Sequence, residues 1–92
     1  MIESFKHGGL EKFFKTGSKA GIQPAHASKL EVQLGILNQS TKPSDMGANN
    51  WGLHPLKGDR KGHWAVWVNG NWRLTFRFEG EDAEVVDYQD YH

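Results

Sequence analysis

The second half of the sequence holds side chains suited to proton transfer and to binding of an anion. His54 is followed by Lys57, Arg73 comes later, and the last residues are Asp90, Tyr91 and His92. Histidine changes its charge near neutral pH, whereas lysine and arginine supply positive charge. This set predicts acid–base chemistry on an anionic substrate.

Cleavage of RNA by its own 2′-hydroxyl is a reaction that needs such groups. It requires a base for the 2′-hydroxyl, an acid for the leaving 5′-oxygen, and positive charge beside the phosphate. The tryptophans and tyrosines offer surfaces on which unpaired bases stack. Trp64 and Trp72 are better interpreted as core residues, because a half-buried strand pattern surrounds them.

The same residue types also fit less specialised roles. A single histidine is more often an ordinary surface residue, and the terminal segment, residues 90–92, has the position of a frayed tail. Arg73 and Arg77 would equally suit solvent or an acidic partner. A zinc site built from His54, His63 and His92 lacks a compact ligand spacing, so we predict no metal and no cofactor.

A sheet must position these groups. Residues 63–68 and 72–78 alternate between apolar and polar types, and Asn69-Gly70 between them predicts a hairpin whose two central residues have positive φ. Residues 83–88 predict a third strand. Leu74, Phe76 and Phe78 would share one face of the middle strand, which leaves a polar working face that is formed by Arg73, Thr75 and Arg77.

Helices are expected before the sheet. Residues 10–15 have apolar side chains at helical spacing, and Pro24 suits the first turn of a second helix. Its apolar seam would comprise Ala27, Leu30, Leu34 and Leu37. Gln33 is placed off the seam, and residues 40–50 are expected to form a loop. The predicted class is α+β, with two N-terminal helices packed on a small antiparallel sheet.

The bulk composition limits the kinds of protein that fit. The 92 residues suit one domain, residues 1–92, and the 11 basic residues equal the 11 acidic ones. A general electrostatic binder of nucleic acid would have a basic excess, so any RNA contact must come from local clusters such as Lys57, Arg60 and Lys61. Without cysteine, signal pattern or membrane-length apolar run, a cytoplasmic protein with no membrane partner is expected.

Three sequence blocks resemble the HigB toxins of the RelE/ParE superfamily. They are residues 53–60 (LHPLKGDR), residues 71–76 (NWRLTF), and Asp87-Tyr88 with the terminal Asp90-Tyr91-His92. Residues 2–7 (IESFKH) fit as well, so the resemblance extends over essentially the whole chain. It implies a microbial-ribonuclease-like RelE fold. The zero net charge departs from the basic character that is common in the superfamily.

The resemblance also implies a function and partners. It implies a ribosome-dependent endoribonuclease that cleaves translated messenger RNA in the ribosomal A site. A HigA-like helix-turn-helix antitoxin would neutralise it, and the complex would bind operator DNA through the antitoxin.

The resemblance assigns roles to individual residues. His92 would be the principal proton-transfer residue, supported by Asp90 and Tyr91, with His54 as the second acid–base group. Lys57 and Arg73 would stabilise the phosphate. Asn71 would help to position the substrate. Arg60 and Arg77, which belong to local clusters of basic residues, are expected to bind the substrate as well.

Two alternatives of the same fold are a ParE-like topoisomerase poison and a non-catalytic module that binds RNA or an antitoxin. The terminal histidine and the block around Lys57 favour the ribonuclease. DNA damage with intact messages would favour the first alternative, and harmless expression without a partner would favour the second.

Overall fold

The chain forms two α-helices and then an antiparallel sheet, which confirms the expected α+β class. The structure is a computed structural model that describes residues 1–90. The helices are α1 (Gly8–Thr16) and α2 (Ala27–Gln39), and the strands are β1 (His54–Pro55), β2 (His63–Asn69), β3 (Trp72–Glu79) and β4 (Asp82–Asp90). Short 3₁₀ turns lie at Pro24–His26, Pro43–Met46 and Gly58–Arg60.

Helix α1 begins and ends where local chemistry sets its bounds. The Nδ1 atom of His7 accepts a hydrogen bond from the Leu10 N–H at 2.9 Å, which satisfies a donor of the first turn. Gly17 ends the helix with a φ of 80°, and its N–H donates to the Phe13 carbonyl. The basic Lys15 in the last turn pairs with Glu11.

Helix α2 confirms the predicted seam and corrects one prediction. All four seam residues are buried, namely Ala27, Leu30, Leu34 and Leu37. Gln33 is fully buried as well, although its polarity predicted an exposed position. Its Nε2 atom donates to the Trp67 carbonyl of β2 at 2.8 Å, and this bond offsets part of the cost of burying the amide.

The sheet has the strand order β1-β2-β3-β4, and all neighbouring strands are antiparallel. The hairpin between β2 and β3 falls where it was predicted, but its backbone differs. Gly70 has a φ of 56°, whereas Asn69 is not among the residues with positive φ. The central residues are Gly70 and Asn71, and only the first has positive φ, as in a type II′ turn. The two-residue strand β1 was not predicted.

The N-terminal segment lies along the free side of β4. Ile2 and Phe5 form isolated parallel bridges with Ala83 and Val86. Val85, between these contacts, has a φ of 47°, and the register of β3 with β4 shifts at this point. A β-branched residue rarely adopts positive φ, so this is a bulge with local backbone strain. The Val85 N–H donates to the Ser4 hydroxyl at 2.9 Å.

The core joins the helices to the sheet. Its fully buried side chains include Leu10, Leu30, Leu34, Leu37, Met46, Val66, Leu74 and Phe76. Trp64 and Trp72 are half-buried and pack against this cluster, in line with their interpretation as core residues. Within residues 1–90, no helix has the length and apolar character needed to cross a bilayer.

Candidate active site

The register of the strands brings separate parts of the chain together on one face of the sheet. Trp67 of β2, Arg73 of β3 and Gln89 of β4 form one cross-strand row. The next row contains Ala65, Thr75 and Asp87, with His54 of β1 opposite Ala65. These residues define the polar face, and Leu74, Phe76 and Tyr88 alternate to the other side.

His54 and Arg73 are in direct contact on this face. The Nε2 atom of His54 lies 3.3 Å from a terminal nitrogen of Arg73, and its Nδ1 atom lies 2.7 Å from the Gly52 carbonyl oxygen. A carbonyl can only accept and a guanidinium can only donate, so Nδ1 carries the proton and Nε2 presents its lone pair. His54 is thereby held in the tautomer that offers a proton acceptor beside a fixed positive charge.

Trp67 completes this group with an aromatic ring. The guanidinium carbon of Arg73 lies 5.3 Å from the centre of the indole, within the range of a cation–π interaction. The His54 ring centre is 6.1 Å from that of Trp67. Arg73 is only 8% exposed, whereas Trp67 is 39% exposed. One ring of the group therefore faces solvent.

The segment between β1 and β2 folds back over the polar face. Arg60, in the 3₁₀ turn, donates to the side-chain oxygen of Gln89 at 3.0 Å and lies 3.8 Å from the Asp87 carboxylate. Thr75 beneath it is 3% exposed. Arg73 and Thr75 of the predicted polar face are therefore largely shielded from solvent, and Thr75 lies beside the loop that carries Arg60.

A cavity of about 270 Å³ lies beside this covering loop. Asp59, Arg60 and His63 come from the loop and the start of β2, and the Nδ1 atom of His63 lies 3.2 Å from the Arg60 carbonyl oxygen. The sheet and the N-terminal segment supply the remaining lining residues, Lys6, Thr75, Val85 and Asp87. Two basic residues, Lys6 and Arg60, and two acidic residues, Asp59 and Asp87, line the cavity, so it carries no strong charge of one sign.

The other predicted site residues lie at different distances from His54 and Arg73. Lys57 is exposed and immediately precedes the 3₁₀ turn, and Asn71 is exposed in the β2–β3 turn. Asp90 ends β4 opposite Trp72, next to the row of Arg73. Tyr91 and His92 lie outside the described residues.

Arg77 differs from the other predicted substrate-binding residues. It stands four positions after Arg73 on β3, about 13 Å along the strand, and pairs with the Glu84 carboxylate. The structure places Arg77 away from His54 and close to an acid. Its proposed role in substrate binding stays a prediction.

Behind the site, aromatic side chains support the ends of β3 and β4. Trp72 and Tyr88 stack with ring centres 4.5 Å apart, and the Tyr88 hydroxyl is 2.6 Å from Nδ1 of the buried His26. Burial raises the pKa of the Tyr88 hydroxyl, the N–H of Gln23 lowers it, and the negative charge of Asp90 raises it further. Tyr88 is therefore a neutral structural group at physiological pH.

Gly52, Trp67 and Gln89 of the site were not singled out from the sequence, and Asp87 was named only within a family block. Trp67, Asp87 and Gln89 occupy the polar positions of their strands, so strand alternation combined with the register would have found them. Gly52 has a φ of 69° and lies against the indole of Trp67, a contact that no local pattern predicts.

A second cavity lies apart from the polar face. Its volume is about 500 Å³, it lies between the helices, and it is lined by Phe13, Phe14, Gly17, Glu31, Leu34 and Gly35. It has none of the predicted site residues. Within residues 1–90, no three histidine or acidic side chains are grouped as metal ligands would be.

Comparisons with known proteins agree with the fold and with the sequence blocks. Residues 3–92 match a family described as "RelE-like toxin of type II toxin-antitoxin system HigB". The chain is 39% identical over 92 residues to the endoribonuclease HigB of Proteus vulgaris, with all of both chains covered.

Two solved structures show the same fold at low identity. YafQ from E. coli strain BL21(DE3) has a TM-score of 0.60 and 18% identity, with 98% of this chain and 93% of that chain covered. A histidine-to-glutamine mutant of YafQ from E. coli has a TM-score of 0.54 and 20% identity, with the same coverage. The family match and the full-length relative together show that this chain belongs to the HigB-like family of RelE-like toxins of type II toxin–antitoxin systems.

Proposed function

We propose that this chain is an endoribonuclease toxin that cleaves translated messenger RNA in the ribosomal A site. The observation that carries the proposal is the part-buried contact of His54 Nε2 with the Arg73 guanidinium, 3.3 Å away, on the polar face of the sheet. It pairs a proton acceptor with a phosphate-binding cation. The relative named as an endoribonuclease supports the same chemistry.

In the proposed reaction, His54 is the general base. When the Arg73 guanidinium turns from His54 to the phosphate, the Nε2 atom accepts the proton of a 2′-hydroxyl, and the freed 2′-oxygen attacks the adjacent phosphorus. The bond from phosphorus to the 5′-oxygen breaks, which leaves a 2′,3′-cyclic phosphate and a 5′-hydroxyl end. Hydrogen bonds fix the His54 tautomer for this role, because Nδ1–H is held by the Gly52 carbonyl.

Neighbouring residues stabilise the charge on the phosphate and protonate the leaving group. Arg73 donates to the phosphate as its negative charge grows, and the exposed Lys57 adds a second positive charge. We assign the protonation of the 5′-oxygen to His92, with Asp90 and Tyr91 in support. Asn71, Arg60 and Arg77 bind the flanking nucleotides. The roles of His92, Asp90, Tyr91, Lys57, Arg73 and Asn71 follow from the resemblance of the sequence blocks, and those of Arg60 and Arg77 follow from their positive charge.

The proposal includes a partner and an arrangement of layers. A HigA-like antitoxin would neutralise the toxin, and the complex would bind operator DNA through the antitoxin. The helices would pack on one face of the sheet, as in microbial ribonucleases. The bond from Gln33 of α2 to the Trp67 carbonyl, and the contact of His26 with Tyr88, support that arrangement.

Translation of a defined message with mapping of new 5′ ends by primer extension tests the function. We expect discrete new ends in the translated message and far fewer in the same RNA without ribosomes. Equal cleavage of naked RNA would contradict the ribosome dependence. Intact messages together with induced DNA damage would indicate a topoisomerase poison instead. Harmless expression without a partner would indicate a non-catalytic binding module.

His54→Ala tests the assignment of the base. We expect kcat to fall by about 10²- to 10⁴-fold, the usual contribution of a proton-transfer group. His63→Ala is the matched histidine control, and because the His63 ring lies beside the Arg60 carbonyl and His63 is opposite Arg77, not Arg73, the loss in rate should be far smaller. Equal rates for the two variants would refute the role of His54.

A further inference from the structure

Among residues 1–90, Trp67 is the large aromatic side chain that the site exposes. It is 39% exposed, while Arg73 opposite it on β3 is buried. The indole borders both groups of the proposed reaction, with the Arg73 guanidinium carbon 5.3 Å and the His54 ring centre 6.1 Å from it. An exposed indole beside a phosphate-binding cation offers a flat surface on which an aromatic ligand can stack.

The backbone of Trp67 is fixed by bonds outside the regular pairing of the strands. Its N–H donates to the Trp51 carbonyl at 2.8 Å, and its carbonyl accepts from the Nε2 atom of Gln33, also at 2.8 Å. The register of β2 shifts between Trp67 and Asn69. Gln33 is fully buried, so a polar side chain is placed in the core to hold this one position.

The indole is also held from its edge. A Cβ atom at Gly52 would lie 2.6 Å from Cδ1 and 3.0 Å from Nε1 of Trp67, so only glycine allows this approach of the main chain. The same glycine carbonyl binds His54 Nδ1. Segment 51–54 therefore positions the ring and the proposed base together, and a ring fixed in this way loses little entropy when a ligand stacks on it.

The chemistry of the surroundings indicates which ligand stacks there. Every nucleobase has a flat π-surface. Proteins bind single-stranded RNA by stacking its bases on aromatic rings and by placing cationic side chains beside its phosphates. Trp67 and Arg73 provide this combination within the span of one nucleotide.

We propose that Trp67 is the stacking platform for one unpaired base beside the cleaved phosphodiester, and that it sets how well this nucleotide is held for attack. This assignment rests on the proposed ribonuclease function. Stacking on Trp67 accepts all four bases, so it anchors the RNA without reading the base edge. Trp67 acts as a binding residue and takes no part in proton transfer.

The test combines variants of Trp67 with abasic nucleotides placed one at a time in and around the cleaved codon. Trp67→Leu keeps apolar bulk without a π-surface, Trp67→Phe restores a ring, and Val32→Ala, on the exposed side of α2, is the remote control. Cleavage rates are measured on programmed ribosomes and on naked RNA, with circular dichroism and thermal unfolding as checks on folding.

At one position, the abasic nucleotide should reduce kcat/KM of the wild type on the order of 5- to 150-fold. With Trp67→Leu, the intact RNA should show the same loss, and the abasic nucleotide should add nothing. Trp67→Phe should restore most of the rate and of the abasic effect, and Val32→Ala should behave as wild type.

Identical abasic penalties in the wild type and in Trp67→Leu at every position would overturn the stacking role while leaving the ribonuclease intact. A wild type that cleaves neither substrate would overturn the proposed function and this role with it. If Trp67→Leu does not fold, Trp67→Gln takes its place in the same comparison.

Discussion

Arg73 and Arg77 lie on the same face of the same strand, yet their surroundings differ in kind. Arg73, at the site end of β3, is buried and contacts the His54 and Trp67 rings. Arg77, at the far end, is exposed and pairs with the Glu84 carboxylate. Alternation along a strand gives both the same face. The neighbouring strands and loops decide which guanidinium is prepared for a substrate.

Replacing each arginine by alanine should give the largest difference in cleavage rate between the two ends of β3. Arg73→Ala should lower kcat of RNA cleavage by about 10²- to 10³-fold, as does loss of one group that stabilises developing charge. Arg77→Ala should change it only a few-fold, because a flanking, solvent-screened contact contributes little. Single-turnover cleavage of a translated message measures both. Comparable losses would erase the distinction between the two ends.

Substitution of two glycines with similar φ angles distinguishes a clash with the Trp67 ring from backbone strain alone. Gly52→Ala and Gly80→Ala both place a side chain at positive φ, but only the first meets Trp67, and Gly80 faces open space. Gly80→Ala should lower the free energy of unfolding by about 1–2 kcal/mol. Gly52→Ala should lose more than this and should also slow cleavage. Urea denaturation measures the free energy of unfolding of both variants. Equal losses would count against close packing of Gly52 on the Trp67 ring.

Two carboxylates provide a similar test of stability. The buried Asp87 accepts from the Tyr88 N–H at 2.9 Å and from the Gln89 amide at 2.6 Å, whereas Glu84 pairs with Arg77 near the surface. We expect Asp87→Ala to cost about 1–3 kcal/mol and Glu84→Ala less than about 1 kcal/mol. The Glu84 effect should also shrink in high salt. A larger loss of stability for Glu84→Ala than for Asp87→Ala would contradict the view that the buried carboxylate contributes more.

The smallest effect concerns alkaline pH. The pKa of Tyr88 is raised in the folded protein, so its contribution to stability is fully present below the unfolded value of about 10. Stability is then lost as the pH rises toward the folded pKa, because the unfolded chain ionises first. In Tyr88→Phe, the urea concentration at the unfolding midpoint should therefore decline less steeply above about pH 10 than in the wild type. Parallel declines for the two proteins would exclude this role.

The sequence predicted much of the fold because regular elements depend on local periodicity. Alternation located β2, β3 and β4, and the apolar seam located α2. Strand β1 was missed because two residues, one of them Pro55, are too few for a period. Gln33 was misplaced because its burial depends on a distant partner, the Trp67 carbonyl.

The site was predictable as a set of residues but not as an arrangement. The residue types of His54 and Arg73 indicated acid–base and phosphate chemistry, and the family blocks named both. Their contact depends on the register of β1, β2 and β3, which no single segment encodes. Trp67 and the covering loop with Arg60 became visible only when that register was known.

A single 2′-deoxy nucleotide at the cleaved position tests the central claim most directly. If His54 activates the 2′-hydroxyl, a translated message that lacks this one oxygen should not be cut there, and unmodified messages should yield 5′-hydroxyl ends. Cleavage at the 2′-deoxy position, or products with 5′-phosphate ends, would contradict the account.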